Sequence, residues 1–218
     1  MNPLHSDNEE DIVAYASVLR LTREDVRVLK IKDAYALHKV IYGLFDDIRS
    51  EAEKQASVPS GILFVDKGGD FNTKQILMLS NRKPHQTPQF GTVETKPICS
   101  QFLSHQHYGF TVTINPGKRD KHTGKIKSVK GREAIADWFI RRAVASWGFS
   151  ILAEHLLVEE VSVQTFEKEG VTVTHGSARI KGKLTVIDRD RFIQSFIHGI
   201  GRGRAFGFGL LQIVPLSH

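Results

Sequence analysis

Apolar positions along the chain change their period several times, and each change marks an element. Ile12 to Leu21 is a mostly apolar run of strand length. Asp33 then precedes a stretch from Ala34 to about Ala56. There Leu37, Ile41, Leu44, Phe45 and Ile48 recur at helical spacing, with Asp33 placed as an N-cap. Pro59-Ser60-Gly61 ends that helix. Two short strands are predicted next, Ile62 to Val65 and Gln75 to Leu79, with a Lys67-Gly68-Gly69-Asp70 turn between them. Residues 81–100, with Pro84, Pro88, Gly91 and Pro97, read as a linker or irregular segment.

A second unit begins near Gln101. Tyr108 to Asn115 alternates as a strand, and Pro116 to Lys130 reads as a loop. Gly131 to Trp147 is helical, with Ile135, Trp138, Phe139 and Val144 on its apolar face and Gly148 as its stop. Strands follow over Leu156 to Phe166, Val171 to His175 and Ala178 to Ile187. Asp188 opens a helix over Arg189 to Ile197, and Leu210 to Leu216 is a final strand. Each half mixes strands and helices as a split βαβ unit does. The prediction is an α+β fold of two tandem ferredoxin-like units, residues 1–100 (linker from about 81) and 101–218. That unit serves many functions, so the fold alone assigns none.

Composition narrows the chemistry. The chain has 218 residues, 40% hydrophobic and 25% charged, as in an ordinary globular protein. No apolar run is long enough for a membrane helix, and residues 1–11 are too polar for a signal peptide. One cysteine, Cys99, allows no internal disulfide, which points to the cytoplasm. The net charge of +6 suits a polyanion as partner.

The cations are clustered. Between Asn115 and Arg132 lie Lys118, Arg119, Lys121, Lys125, Lys127, Lys130 and Arg132, against one acid, Asp120. Such a loop can follow a phosphate backbone; the same pattern also fits a solvated hairpin. Arg179, Lys181 and Lys183 alternate with Ala178, Ile180, Gly182 and Leu184, so period two puts the three cations on one strand face. That face either lies along RNA or simply meets solvent. His198 to Leu211 holds five glycines and the forked donors Arg202 and Arg204. Gly201-Arg202-Gly203-Arg204 can bring backbone and charge to a phosphate, or form a flexible turn. Neither the P-loop nor the dinucleotide spacing is present, so no cofactor is expected.

Tyr35, His38 and Tyr42 form one stripe on the predicted first helix. With Tyr35 at 0°, His38 falls near 300° and Tyr42 near 340°, beside an apolar face centred at about 220°. The stripe reads either as a surface histidine beside packing tyrosines, or as a titrating group with a phenol one turn away. Lys39 is about 100° from His38 and is set aside. His105-Gln106-His107 lacks a carboxylate to complete a metal site, so no metal is expected.

Gly199 to Leu211 resembles the C-terminal glycine-rich loop of CRISPR repeat endonucleases. Tyr108 to Phe149 is similar to the CasE group: a strand, Asn115-Pro116, Lys118-Arg119, Thr123-Gly124-Lys125, then a helix ending at Gly148-Phe149. That family carries a Tyr-x-x-His element on its first helix, matched here by Tyr35-Ala36-Leu37-His38. The polar stretch Met1 to Glu10 departs from the family's usual start, and Val58 to Ser100 matches no motif of it. The resemblance implies two ferredoxin-like units with RNA across them. It implies cleavage at the base of the repeat's stem-loop, on its 3′ side, leaving a 5′-hydroxyl and a 2′,3′-cyclic phosphate. It also implies that the protein keeps its CRISPR RNA hairpin and stays with other Cascade subunits. His38 is then expected to move a proton, as base or as acid, and Tyr35 to position the 2′-hydroxyl or stabilise the phosphorane. A hairpin-binding subunit without catalysis is the competing expectation; the side on which His38 lies separates the two.

Overall fold

A computed structural model describes residues 11–56, 58–120, 122–168 and 170–217. The N-terminal stretch 1–10 and Lys121 lie outside the described residues. β1 (Ile12–Thr22) is followed by α1 (Arg23–Val28), which the apolar pattern did not predict. Its start is a capping box: Thr22 Oγ1 accepts from the Asp25 N–H, and the Asp25 carboxylate accepts from the Thr22 N–H.

The long helix predicted to Ala56 is instead broken. α2 (Ala34–Tyr42) stops at Gly43, and α3 (Glu51–Gln55) starts afresh behind a Ser50–Glu53 capping box. Between them the Leu44 and Phe45 N–H groups bond back only three residues, and both side chains are buried. Ile48, assigned to the apolar face, is 65% exposed, because the chain has left the helix before reaching it.

β2 (Ile62–Gly69) and β3 (Thr73–Ser80) form the expected hairpin. The segment read as a linker contains β4 (Thr92–Cys99), paired antiparallel with β1. β4 is the edge strand of the order β2-β3-β1-β4, so Pro97 is tolerated there. This is the strand order of a split βαβ unit, but the connection from β3 to β4 holds no helix. Both faces of the sheet are covered. Ile62 and Phe64 pack with Leu37 and Ile41 of α2, while Leu63, Val65 and Leu79 join the core of the C-terminal half. Each large side chain so buried stabilises by about 1.5–3 kcal/mol.

In the second half β5 (His107–Ile114) lies between β10 (Val171–Val186) and β11 (Gln212–Pro215), all antiparallel. β8 (Phe149–Ser150) and β9 (Leu156–Lys168) pair with β10. The two strands predicted over Val171 to Ile187 are thus one. Gly176 and Ser177 continue the ladder opposite Val163 and Ser162. α4 (Arg132–Arg142) and α5 (Arg189–His198) bury Ile135, Phe139, Phe192 and Phe196. α4 gives way to a π-helical turn, Ala143–Trp147, which leaves Val144 exposed rather than on the apolar face. The predicted basic loop is itself a hairpin of β6 (Gly117–Arg119) and β7 (Ile126–Ser128).

Candidate active site and nucleic-acid interface

α2 turns Leu37 and Ile41 into the core and leaves Tyr35, His38 and Tyr42 half-buried beside it. The Asp33 side chain caps the helix by accepting from the Ala36 N–H at 2.8 Å. His38 faces the glycine-rich segment, with Nδ1 2.9 Å from the carbonyl oxygen of Ala205. A carbonyl only accepts, so Nδ1 carries the hydrogen and the lone pair of the neutral ring is on Nε2. The imidazole centroid is 4.0 Å from that of Tyr42 and 5.8 Å from that of Phe206. The Tyr35 ring is nearly parallel to it at 6.1 Å and stacks on Phe166 at 6.4 Å. Lys39, set aside on helical geometry, holds its Nζ 4.5 Å from the Tyr35 ring centroid, a cation–π contact. The Tyr42 hydroxyl accepts from Ser60 at 2.8 Å.

Gly199, Gly201, Gly203, Gly207 and Gly209 all have φ between 73° and 85°, which L side chains rarely adopt. They do not all serve a ligand. A Cβ on Gly209 would stand 2.2 Å from the Ile200 carbonyl oxygen, and one on Gly207 would press on the Phe64 ring at 3.3 Å. The Gly209 N–H donates to the Thr113 carbonyl of β5. These two glycines let the segment close on itself and lie against both halves. Gly201 has open space beside it and Arg202 is exposed, so this end of the loop faces outward. Gly203 is covered by Phe208, and Arg204 turns back to donate to the His198 carbonyl at the end of α5, 2.7 Å away. Of the two expected arginines, Arg202 faces solvent and Arg204 holds the loop.

The β6–β7 hairpin exposes Lys118, Arg119, Lys125, Lys127 and Lys130. Its turn is organised by Asp120, which accepts from His122 and Thr123 N–H groups and pairs with Lys127 at 2.6 Å. These donors hold the Asp120 carboxyl at a pKa of about 2. Arg119 donates to the Gly124 carbonyl. Among the described residues, Lys118, Lys125 and Lys130 form no ion pair. The hairpin's base leans on β10, since a Cβ on Gly176 would meet Ser128 Oγ at 3.1 Å. Gly176 adjoins His175, whose ring contacts Phe206 at 5.5 Å. The hairpin therefore springs from beside the ring cluster that holds His38.

Arg179, Lys181 and Lys183 share an exposed face as expected, with Ala178, Ile180 and Leu184 buried behind them. That face is partly neutralised. A bulge in β9 lets Glu159 reach both Arg179 and Lys181. Lys181 and Lys183 line a groove of about 800 Å³ with Leu157 and Gln212, and not the cavities beside His38.

His175 was not singled out by the sequence, because nothing in its strand pattern marks it. Its Nδ1 is buried without a hydrogen-bond partner. Burial, and then the charge of Arg202, push its pKa below the ordinary histidine value. His107 Nδ1 lies 3.1 Å from Thr185 Oγ1, and His105 sets its ring edge-on to Tyr108. Among the described residues no three His, Cys, Asp or Glu side chains are gathered as metal ligands, and no helix is long and apolar enough to cross a membrane.

Comparison with known proteins adds to this geometry. The family described as CRISPR associated protein matches residues 14–215. The CRISPR-associated endoribonuclease Cse3 of Thermus thermophilus is 28% identical over 130 residues, 55% of this chain and 61% of that protein. The aligned part thus spans less than two thirds of that relative. Among solved structures, a CRISPR endoribonuclease Cse3 bound to a 19-nucleotide RNA superposes with a TM-score of 0.76 at 21% identity, covering 93% of this chain and 99% of the other. Cas6e from Escherichia coli str. K-12 gives 0.62 at 22%, covering 93% and 100%. A chain of a CRISPR RNA-guided surveillance complex gives 0.66 at 17%, again covering 93% and 100%. At such identities the structural likeness is one of fold. The family match, which spans nearly all of the chain, shows membership: the chain belongs to the CRISPR-associated protein family, as its resemblance to the CasE nucleases led us to expect.

Proposed function

We propose that the chain is an endoribonuclease that cuts the stem-loop repeat of CRISPR precursor RNA and then keeps its product as a subunit of Cascade. In this reading the RNA lies across two ferredoxin-like units, one within residues 1–100, which has the strand order without the helix between β3 and β4, and one in residues 101–218. The observation that carries the reading is His38, held by its Nδ1 against the glycine-rich segment between those units. A His38 side chain that was buried, or turned away from the basic groove, would favour the hairpin-binding alternative without catalysis; the ring is instead half-buried and faces the glycine-rich segment.

RNA supplies its own nucleophile. The 2′-hydroxyl gives up its proton as its oxygen attacks the adjacent phosphorus. The bond from phosphorus to the 5′-oxygen breaks, and that oxygen takes up a proton. The products are a 2′,3′-cyclic phosphate and a 5′-hydroxyl, and the balance of atoms requires no metal. His38 exchanges its proton at Nε2, because Nδ1 is engaged with Ala205. The Ala205 carbonyl fixes the ring's tautomer and plane. Tyr35 presents a phenol one turn away on the same stripe. The exposed Arg202 and the backbone around Gly201 supply positive charge and N–H donors for the charge that builds on the phosphorane. Lys118, Lys125 and Lys130, with Arg119 and Lys127 beside them, track the phosphates of the stem.

The test is to incubate the pure protein with a panel of short RNA hairpins in EDTA and to identify the product ends. Cleavage of a subset, with cyclic-phosphate and 5′-hydroxyl ends, is the expected result. Complete loss of cutting on chelation overturns the metal-independent route, and binding without cutting moves the reading to the non-catalytic subunit.

A further inference from the structure

His175 lies beside the proposed cleavage site, and the chemistry above gives it no part. It stands on β10 where three elements meet. Phe166 of β9 is edge-on to its ring at 5.5 Å. From the glycine-rich segment, Phe206 and Phe208 pack on it at 5.5 and 5.8 Å, and a Cβ on Gly203 would come within 3.7 Å of its Cε1. The next residue, Gly176, adjoins Ser128 at the base of the β6–β7 hairpin. The ring is half-buried. Its Nδ1 is enclosed and unbonded, and Nε2, the accessible nitrogen, has no partner among the described residues. A leucine would fill such an aromatic nest and leave no orphan nitrogen, so an imidazole there calls for a reason.

The charge that acts on the ring is Arg202, which with burial disfavours the imidazolium. Arg202 is exposed, and among the described residues it has no ion pair or hydrogen bond. The other groups against the ring carry no charge: Gln164 opposite it on β9, and the three phenylalanines. His38 of α2 stands beyond Phe206. The hairpin brings Lys127, paired with Asp120, and Lys130 to either side of Ser128 in sequence. An imidazole and a guanidinium set together with no acid between them form a place for an anion.

We propose that His175 Nε2 and the Arg202 guanidinium together hold one phosphate of the RNA backbone, and that a proton from solvent joins His175 as the RNA binds. The proposal rests on the RNA-binding part of the reading above. The phosphate's charge favours the imidazolium, which Arg202 alone opposes. An imidazolium carries an N–H at both nitrogens, so Nε2 donates whichever tautomer the neutral ring adopts. Phe206 stands between this ring and His38, so the phosphate held here is a neighbour of the scissile one. The forked guanidinium of Arg202 has donors for both. His175 is a positioning residue: it fixes the strand beside the bond to be cut and takes no part in the proton transfer there. A complex that binds more protons than its free parts gains affinity as pH falls.

The experiment uses a hairpin with a 2′-deoxyribose at the scissile nucleotide, which binds without being cut. Its Kd is measured at fixed salt for the unaltered protein and for His175→Gln. Between about pH 7.5 and 5.5, binding by the unaltered protein should tighten about three- to tenfold more than binding by the variant. The comparison cancels protonation of the RNA and of the other histidines. Arg202→Gln should weaken binding throughout that range and lower the salt slope by about one. In the unaltered protein, the His175 ring proton followed by NMR should titrate at higher pH with the hairpin bound than without it. That shift decides the matter even if the Gln variant folds poorly. Equal pH dependence in the two proteins, or a titration midpoint that stays put on binding, overturns the proposal. If the all-ribose hairpin is bound with this linkage but never cut, the nuclease reading fails and the phosphate site stands. Absence of binding to any hairpin sinks both.

Discussion

The imidazole of His38 and the carbonyl of Ala205, 167 residues apart in sequence, meet at 2.9 Å. This contact joins α2 to the glycine-rich segment, and in the proposed mechanism it makes Nε2 the atom through which the ring exchanges a proton. His38→Ala is expected to slow single-turnover cleavage about a hundredfold or more while leaving the Kd for the hairpin within a few-fold. An unchanged rate would remove His38 from the chemistry.

Tyr35→Phe separates the hydroxyl from the ring. The stack on Phe166 and the contact with Lys39 need only the ring. The variant should therefore fold and bind as before and cut roughly tenfold more slowly or worse, the loss typical of one positioned hydrogen bond to a charged group. Equal rates would assign Tyr35 to packing alone.

The lysines of the β6–β7 hairpin should not be equivalent. Lys125→Ala is expected to weaken binding to all hairpins alike and to reduce the salt slope by about one. Lys127 is already paired with Asp120 in the turn. Its replacement should alter the salt slope less, and act through loosening of the hairpin. Binding titrations from 50 to 200 mM salt distinguish the two, and identical slopes would contradict the assigned pairing.

Gly209→Ala tests the closed end of the glycine-rich segment. The added carbon would lie 2.2 Å from a backbone oxygen at a φ of +82°. A loss of about 2 kcal/mol or more is expected, and a fall in Tm of about 4–8 °C. Gly201→Ala has a similar φ of +77° but meets no neighbour, so it should cost less. Thermal unfolding of both variants checks the order.

His175 predicts a pH dependence of stability. Its folded pKa is lowered, so below the ordinary histidine value the unfolded chain binds more protons than the folded one. Its contribution to stability is fully present above that value and is lost as pH falls toward the folded pKa. Replacement by Gln should flatten the fall in Tm below about pH 6.5. An identical pH profile would show that the ring does not titrate in this window.

The parts of the fold that could be read from sequence are those whose signals are local. Asp33 as a cap, the α2 stripe, the β2–β3 hairpin, α4 with its stop at Gly148 and α5 behind Asp188 all follow from periodicity and capping. β4 was hidden because Pro97 and its alternating polar residues describe an edge strand, whose identity depends on pairing with β1. The break at Gly43 is marked in the sequence only by the Ser50-x-x-Glu53 capping box, because the apolar residues just beyond Gly43 keep a helical period. At the site, Tyr35 and His38 were visible as a stripe. Their neighbours Phe166, His175 and Phe206 were not, because only the pairing of β9 with β10 and the return of the last loop bring them there.

The group that orients His38 belongs to the main chain. No substitution at position 205 deletes a carbonyl, so a scan of single replacements there would find almost nothing. The dependence would surface instead in changes that displace the turn as a whole, such as insertions between Gly203 and Gly207. An essential component of the proposed chemistry thus leaves no trace in residue identity, and comparison of sequences alone would pass over it.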